Sequence, residues 1–247
     1  MQRYKCIVMY DGSHFFGYQV QPNKRTVQLE IERALTTLHK GESIRIHASG
    51  RTDAGVHAKG QVIHFDSPLS IPEEKWPKAL NALLPTDVVV QKVEKAEASF
   101  HARFDAVGKQ YRYFVYQGKT RDPFKHSYQY YYPFLLNKEA MEEAAPFLLG
   151  THDFTSFCSA KTEVEDKVRE LTKIELIEVE EGFIFCFEGN GFLYNMVRIL
   201  VGTLLQVGAG ELEPKAMEEI LAKKDRGAAG KTAPPHGLYL WEVHYEN

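Results

Sequence analysis

Arginine, aspartate and histidine fall within seven positions of one stretch, Ala48-Ser49-Gly50-Arg51-Thr52-Asp53-Ala54-Gly55-Val56-His57-Ala58, set between segments with strand character, Ile44 to Ala48 and Gln61 to Phe65. Gly50 and Gly55 permit a sharp backbone excursion that would display the Asp53 carboxylate outside a sheet. Arg51, two residues away, shares a face with Asp53 if the segment is extended, and a neighbouring guanidinium holds a carboxylate in its ionised form. A permanently anionic carboxylate suits nucleophilic attack or stabilisation of a cation better than proton donation. The plain alternative is an Asx turn in which Asp53 bonds its own backbone.

Other residue types invite the same weighing. In Lys109-Gln110-Tyr111-Arg112-Tyr113-Phe114-Val115-Tyr116 the alternation puts Tyr111, Tyr113 and Val115 on one face and Arg112 on the other, which ordinary sheet packing also explains. Arg198 sits in a mostly apolar helical run, where an unpaired charge would be costly, unless the position faces solvent. Phe15 to Pro22 is a polar-aromatic loop that serves equally as a base-stacking surface or as packing under the next helix. His47, His57 and His64 lie near Asp53 in sequence, but their spacing matches no helical ligand pair and strands flanking a loop do not gather them, so no metal is expected. A glycoside hydrolase would need a second carboxylate about 5 to 9.5 Å from the first, and no nearby motif offers one.

Gly50 to Ala58 closely resembles the active-site signature of the TruA family of tRNA pseudouridine synthases, in which the aspartate of G-R-T-D-A-G-V-H-A is catalytic. The Lys109 to Tyr116 stretch resembles that family's R/K-x-Y-R-Y strand, whose first tyrosine, here Tyr111, contacts the target uracil. Gly191-Phe192-Leu193-Tyr194-Asn195-Met196-Val197-Arg198 is similar to the helix entry whose arginine, here Arg198, pairs with the catalytic aspartate. Ala233-Pro234-Pro235-His236-Gly237-Leu238-Tyr239-Leu240 resembles the A-P-x-x-G-L-x-L segment whose first leucine, here Leu238, packs against the base. The resemblance implies isomerisation of uridine to pseudouridine at positions 38 to 40 of the tRNA anticodon arm. It further implies Asp53 as catalytic residue, Tyr111, Arg51, Arg198 and Leu238 as substrate-binding residues, and a homodimer. Substrate and product of such a reaction are isomers, so no cofactor is expected. The alternative from another class, a non-catalytic RNA-binding protein with two RRM-like sheets, gives Asp53 and Arg198 no task.

The elements that must hold these residues are legible in the periodicity. With 247 residues, 44% hydrophobic and 12% aromatic, the chain can bury substantial cores. No apolar run approaches the ~20 residues of a membrane span, and the start passes directly into a strand pattern without signal-peptide organisation, so a cytoplasmic location is expected. Cys6, Cys158 and Cys186 read as reduced core thiols. The net charge of −3 argues against a nucleic-acid partner, but it is unevenly spread: Lys109 to His126 carries five bases and one acid, Glu163 to Glu181 eight acids and three bases.

Strand, helix, two strands around the Asp53 loop, helix and strand follow one another from Arg3 to Glu94, with Thr26 as helix N-cap and Val27, Ile31, Ala34/Leu35 and Leu38 as the apolar stripe. The order repeats from Gln110 to Tyr245, with a helix capped by Asn137, a hairpin at Glu181-Gly182, a long apolar helix from Leu193 to Val207 and a last strand from Leu238. The expected fold is therefore α+β, two ferredoxin-like (RRM-like) βαββαβ subdomains. Residues 1–105 would carry the Asp53 loop, and residues 106–247 the Tyr111 strand and the Arg198 helix. The family resemblance adds that the antiparallel sheets form a central cleft, the pseudouridine synthase fold.

Overall fold

In β1 (Gln2–Tyr10) the residues Tyr4, Cys6, Val8 and Tyr10 are buried and their neighbours are not, the period of two expected of a strand with one face on a core. The computed structural model to which this strand belongs describes residues 1–162 and 164–246. It falls into two units, Met1–Val107 with the stretch from Tyr239 onward, and Gly108–Leu238.

In the first unit, α1 (Val27–Leu38) buries Val27, Ile31, Ala34 and Leu35, one helical face. Thr26 takes the extended N-cap backbone but makes no side-chain capping bond. β2 (His47–Ala48), β3 (His57–Ser67), α2 (Trp76–Asn81) and β4 (Val88–Ala96) complete the βαββαβ order. β1 lies between β4 and β3, antiparallel to both, and β2 pairs antiparallel with β3, which is the ferredoxin-like arrangement. The fully buried Trp76 packs on Tyr4 of β1 and Phe65 of β3, with ring centroids 4.9 and 5.3 Å away, so α2 covers this sheet face. β2 is shorter than its sequence suggests: Ile44 and Ile46 are buried, but the ladder begins at His47.

The second unit contains β5 (Ala106–Tyr116), whose first two residues belong to the first unit, then β6 (Tyr130–Tyr131), α3 (Lys138–Ala144), β7 (Gly150–Asp153), β8 (Val168–Val179), β9 (Gly182–Gly189), α4 (Met196–Gly208) and α5 (Ala216–Lys223). Its sheet runs β5-β9-β8-β7, antiparallel throughout, with β6 added in parallel to β5. Asn137 caps α3 as expected, its Oδ1 accepting from Ala140 N at 2.9 Å. α4 is buried almost all round, as a core helix. It begins at Met196 rather than Leu193 because Asn195 adopts a left-handed conformation, φ 62°.

The final strand, β10 (Leu238–Tyr245), matches its predicted span. From Tyr239 it counts with the first unit, where it runs parallel to β3 with Tyr239 opposite His57 and Leu240 opposite Ala58. The order of elements in the sequence alone keeps it with the second half. β6 and β7 are additions that the periodicity does not announce. Among the described residues no helix is long and apolar enough to cross a membrane, and all three cysteines are buried and free.

Candidate active site

Gly50 to Val56 has no regular secondary structure, so its shape depends on side-chain and turn contacts. Ser49, Thr52, Val56 and His57 point inward and are buried, Arg51 and Ala54 are exposed, and Asp53 is half-buried. Arg51 is thus open to solvent and Asp53 partly so. The Val56 N–H donates to the Asp53 carbonyl at 3.1 Å across a turn in which Gly55 takes φ 78°.

Below the turn lies a buried polar frame. The Thr52 hydroxyl is 2.7 Å from the Tyr10 hydroxyl, and the Tyr18 N–H donates to the Thr52 carbonyl at 3.0 Å. Gln61 Nε2 donates to the Gly50 carbonyl at 3.0 Å and lies 3.4 Å from the Tyr10 hydroxyl, while its Oε1 accepts from Ser49 Oγ at 2.8 Å. Burial pushes the Tyr10 phenol up to about 12, against the hydrogen bonds to Thr52 and Gln61, so it stays a neutral hydroxyl able to donate and accept. The segment after β1 packs backbone to backbone on this loop: a Cβ at Gly12 would sit 2.1 Å from the Val56 carbonyl oxygen, and one at Gly17 (φ 88°) 3.0 Å from that of Thr52.

His57 closes the far end. Its Nδ1 accepts from Gly12 N at 3.0 Å, which requires the lone pair on that nitrogen and leaves the ring proton on Nε2. Asp11 Oδ1, 3.2 Å from the same nitrogen, accepts from Ser13 N at 2.9 Å, the turn role implied by its Asp-Gly pair. The His57 ring stacks on Tyr239 of β10 at 4.5 Å.

The remaining predicted residues lie in or border the second unit. Tyr111 is half-buried and meets Phe192 edge-on at 4.9 Å. Tyr113 is fully buried and donates from its hydroxyl to the Pro234 carbonyl at 2.8 Å. Its burial holds the phenol well above its ordinary value, opposed by the Arg198 charge. Arg112 faces the other way, Nε donating to Gln110 Oε1 at 3.0 Å. The half-buried Arg198 donates from Nε to the Ala233 carbonyl and from an Nη to Asn195 Oδ1, both at 2.7 Å, and its own carbonyl accepts from Ala233 N. This answers the sequence puzzle of a charge on an apolar helix, since a hydrogen-bonded guanidinium is not an orphaned one. Leu238, 6% exposed, follows directly on Gly237, which packs against the Tyr113 ring. The tyrosine strand, the Arg198 helix and the Ala233 to Leu238 segment thus form one cluster.

One sequence expectation needs correction. His47 and His64 are brought together after all, as a cross-strand pair with rings stacked at 4.9 Å, and His101 joins them, 4.7 Å from His64. His57 is bonded elsewhere, to the Gly12 amide. Among the described residues no group of three or more His, Cys, Asp or Glu is arranged to hold a metal ion. Lys125 of the basic stretch pairs with Glu181 of the acidic one. Sequence reasoning did not single out Tyr10, Thr52 and Gln61: Gln61 lies in a strand that also carries Lys59, His64 and Asp66, where a glutamine does not stand out.

Comparison with known proteins adds the chemistry. A family model described as tRNA pseudouridine synthase matches residues 6–105 and 144–246. The chain is 61% identical over 247 residues to tRNA pseudouridine synthase A 1 of Bacillus cereus, covering all of both chains. It is 58% identical to tRNA pseudouridine synthase A of Anoxybacillus flavithermus, again over all of both, and 58% identical to that of Bacillus subtilis over 99% of this chain and 100% of the relative. The signature surrounding Asp53, the ferredoxin-like order of the first unit and these full-length matches agree: the chain belongs to the tRNA pseudouridine synthase family.

Proposed function

We propose that this protein isomerises uridine to pseudouridine at positions 38 to 40 of the tRNA anticodon arm, with Asp53 as the catalytic carboxylate. The observation that carries the assignment is the display of Asp53 on a turn whose underside is fixed by buried hydrogen bonds to Gly50 and Thr52. In the reaction the bond from uracil N1 to the ribose anomeric carbon breaks, the uracil turns, a bond from C5 to that carbon forms, and the C5 proton leaves as N1 gains one. Asp53 acts at the anomeric carbon, as nucleophile or as the base and charge stabiliser of a glycal route. Arg51, exposed beside it, supports a nucleotide swung out of its stack. Tyr111 presents a face to the uracil and a hydroxyl to the C5 proton. Arg198 supplies a second guanidinium that favours the carboxylate, and Leu238 packs against the base. The working form is a homodimer in the cytoplasm.

The test is tritium release from tRNA labelled at uridine C5. Asp53→Asn should lose turnover by several orders of magnitude while tRNA affinity stays near that of the wild type, since phosphate contacts dominate binding. Substantial residual release would remove Asp53 from the mechanism. Binding without release by the wild-type protein would leave the RNA-binding reading in its place.

A further inference from the structure

We propose that Gln61 is a positioning residue for the reaction, acting through the backbone on either side of Arg51 to set where the Asp53 carboxylate stands. The proposal rests on the assignment of Asp53 as the catalytic group. Gln61 is completely buried in β3, and Val62 and Ile63 beside it are apolar. An aliphatic side chain would fill such a core position without the demands of an amide. The amide is instead fully engaged: Oε1 accepts from Ser49, while Nε2 donates to the Gly50 carbonyl and approaches the Tyr10 hydroxyl, which in turn holds Thr52. Its contacts therefore bracket Arg51, reaching the residue before it directly and the residue after it through Tyr10. Asp53 is the next residue along. Since the loop has no ladder of its own, these bonds fix the peptide planes from which the carboxylate is hung, and a displacement of about 1 Å at a reacting group costs on the order of 10²-fold in rate.

The experiment uses the full-length protein in single-turnover tritium release at saturating enzyme, with tRNA affinity and thermal unfolding measured on the same preparations. Gln61→Leu should slow release by roughly 10- to 100-fold, with tRNA affinity changed by no more than about twofold. Tyr10→Phe, which deletes one hydroxyl and keeps the ring, should slow it by a smaller factor and decides the matter if Gln61→Leu does not fold. Gln61→Glu supplies a readout that mere packing would not move. A protonated carboxylic acid offers one donor and one acceptor, as the amide does at Gly50 and Ser49, whereas the ionised form only accepts. Its rate relative to wild type should climb as pH falls from about 8 to about 6, because burial raises a carboxyl pKa, while the Gln61→Leu ratio stays flat. The proposal is overturned if Gln61→Leu keeps its single-turnover rate, if its loss lies wholly in tRNA affinity, or if both ratios are flat with pH. With Asp53→Asn run alongside, the failures separate: an inactive Asp53→Asn beside a fully active Gln61→Leu rejects the positioning role alone, and an active Asp53→Asn rejects the catalytic assignment and the positioning role with it.

Discussion

Acidification from pH 7 to pH 5 should weaken the unit that carries Asp53 by about 2 kcal/mol through one imidazole, His64. The ring is 3% exposed, stacked on His47, approached edge-on by His101, and accepts from Ala102 N at 3.1 Å. Burial first, and then the neighbouring His101, His47 and Arg3 charges, push it down to about 4 from 6.5, against the pull of Asp66. The unfolded chain therefore binds this proton below about pH 6.5 while the folded one resists it until about pH 4, so the stability is present above the unfolded value and lost through that window. At pH 5 most unfolded molecules carry the proton and about one folded molecule in ten does, a factor of roughly 20 to 30 in the folding equilibrium. His101, also displaced downward by burial and by His47, adds a loss of the same sign. Urea titrations at pH 7, 6 and 5 would read the change directly, and for a protein of this size it corresponds to roughly 4 to 8 °C in Tm. His64→Asn keeps an acceptor for the Ala102 N–H and does not titrate, so its profile should be flatter. Parallel profiles for the wild type and His64→Asn would refute the reasoning.

Tyr111→Phe keeps the aromatic face and should bind tRNA nearly as well as the wild type, while product formation falls by about 10² or more if the hydroxyl carries the C5 proton; near-normal tritium release would confine Tyr111 to stacking. Affinity for tRNA should drop steeply with salt, and replacing Lys109, Arg112 and Arg121 by alanine should reduce the slope of log K against log salt by roughly 0.7 to 0.9 for each phosphate no longer neutralised. Unchanged slopes would make that stretch a solvated face.

What the sequence disclosed followed the kind of force involved. Elements made by burial of one face were legible: α1 through Val27, Ile31 and Leu35, and β10 from Leu238 to Tyr245. Elements defined by pairing alone were not. Ile44 and Ile46 alternate and are buried without joining the ladder, whereas the two-residue β6 at Tyr130–Tyr131 joins one with no pattern to announce it. The loop from Phe15 to Pro22 could not be resolved by composition; the fold buries Phe15 and Tyr18 and leaves Phe16 half exposed. Register gathers the histidines, since His47 faces His64 across two strands, and no spacing rule along one chain reveals a cross-strand neighbour. The Asp53 loop was visible as chemistry because its residues are unusual together. Its supports were not, because a buried glutamine looks in sequence like any surface glutamine.

The pairing of β10 with β3 joins residues about 180 positions apart, with the second unit synthesised between them. At ~5 to 20 residues per second, a nascent first unit waits roughly 7 to 26 seconds after Val107 for Tyr239 to be made. Until then His57 lacks its stacking partner, and the β3 edge beside the Asp53 loop lacks its parallel neighbour. Completion of the loop is therefore a late event in the life of the chain, and residues 1–107 expressed alone would not be a miniature of the unit that carries Asp53.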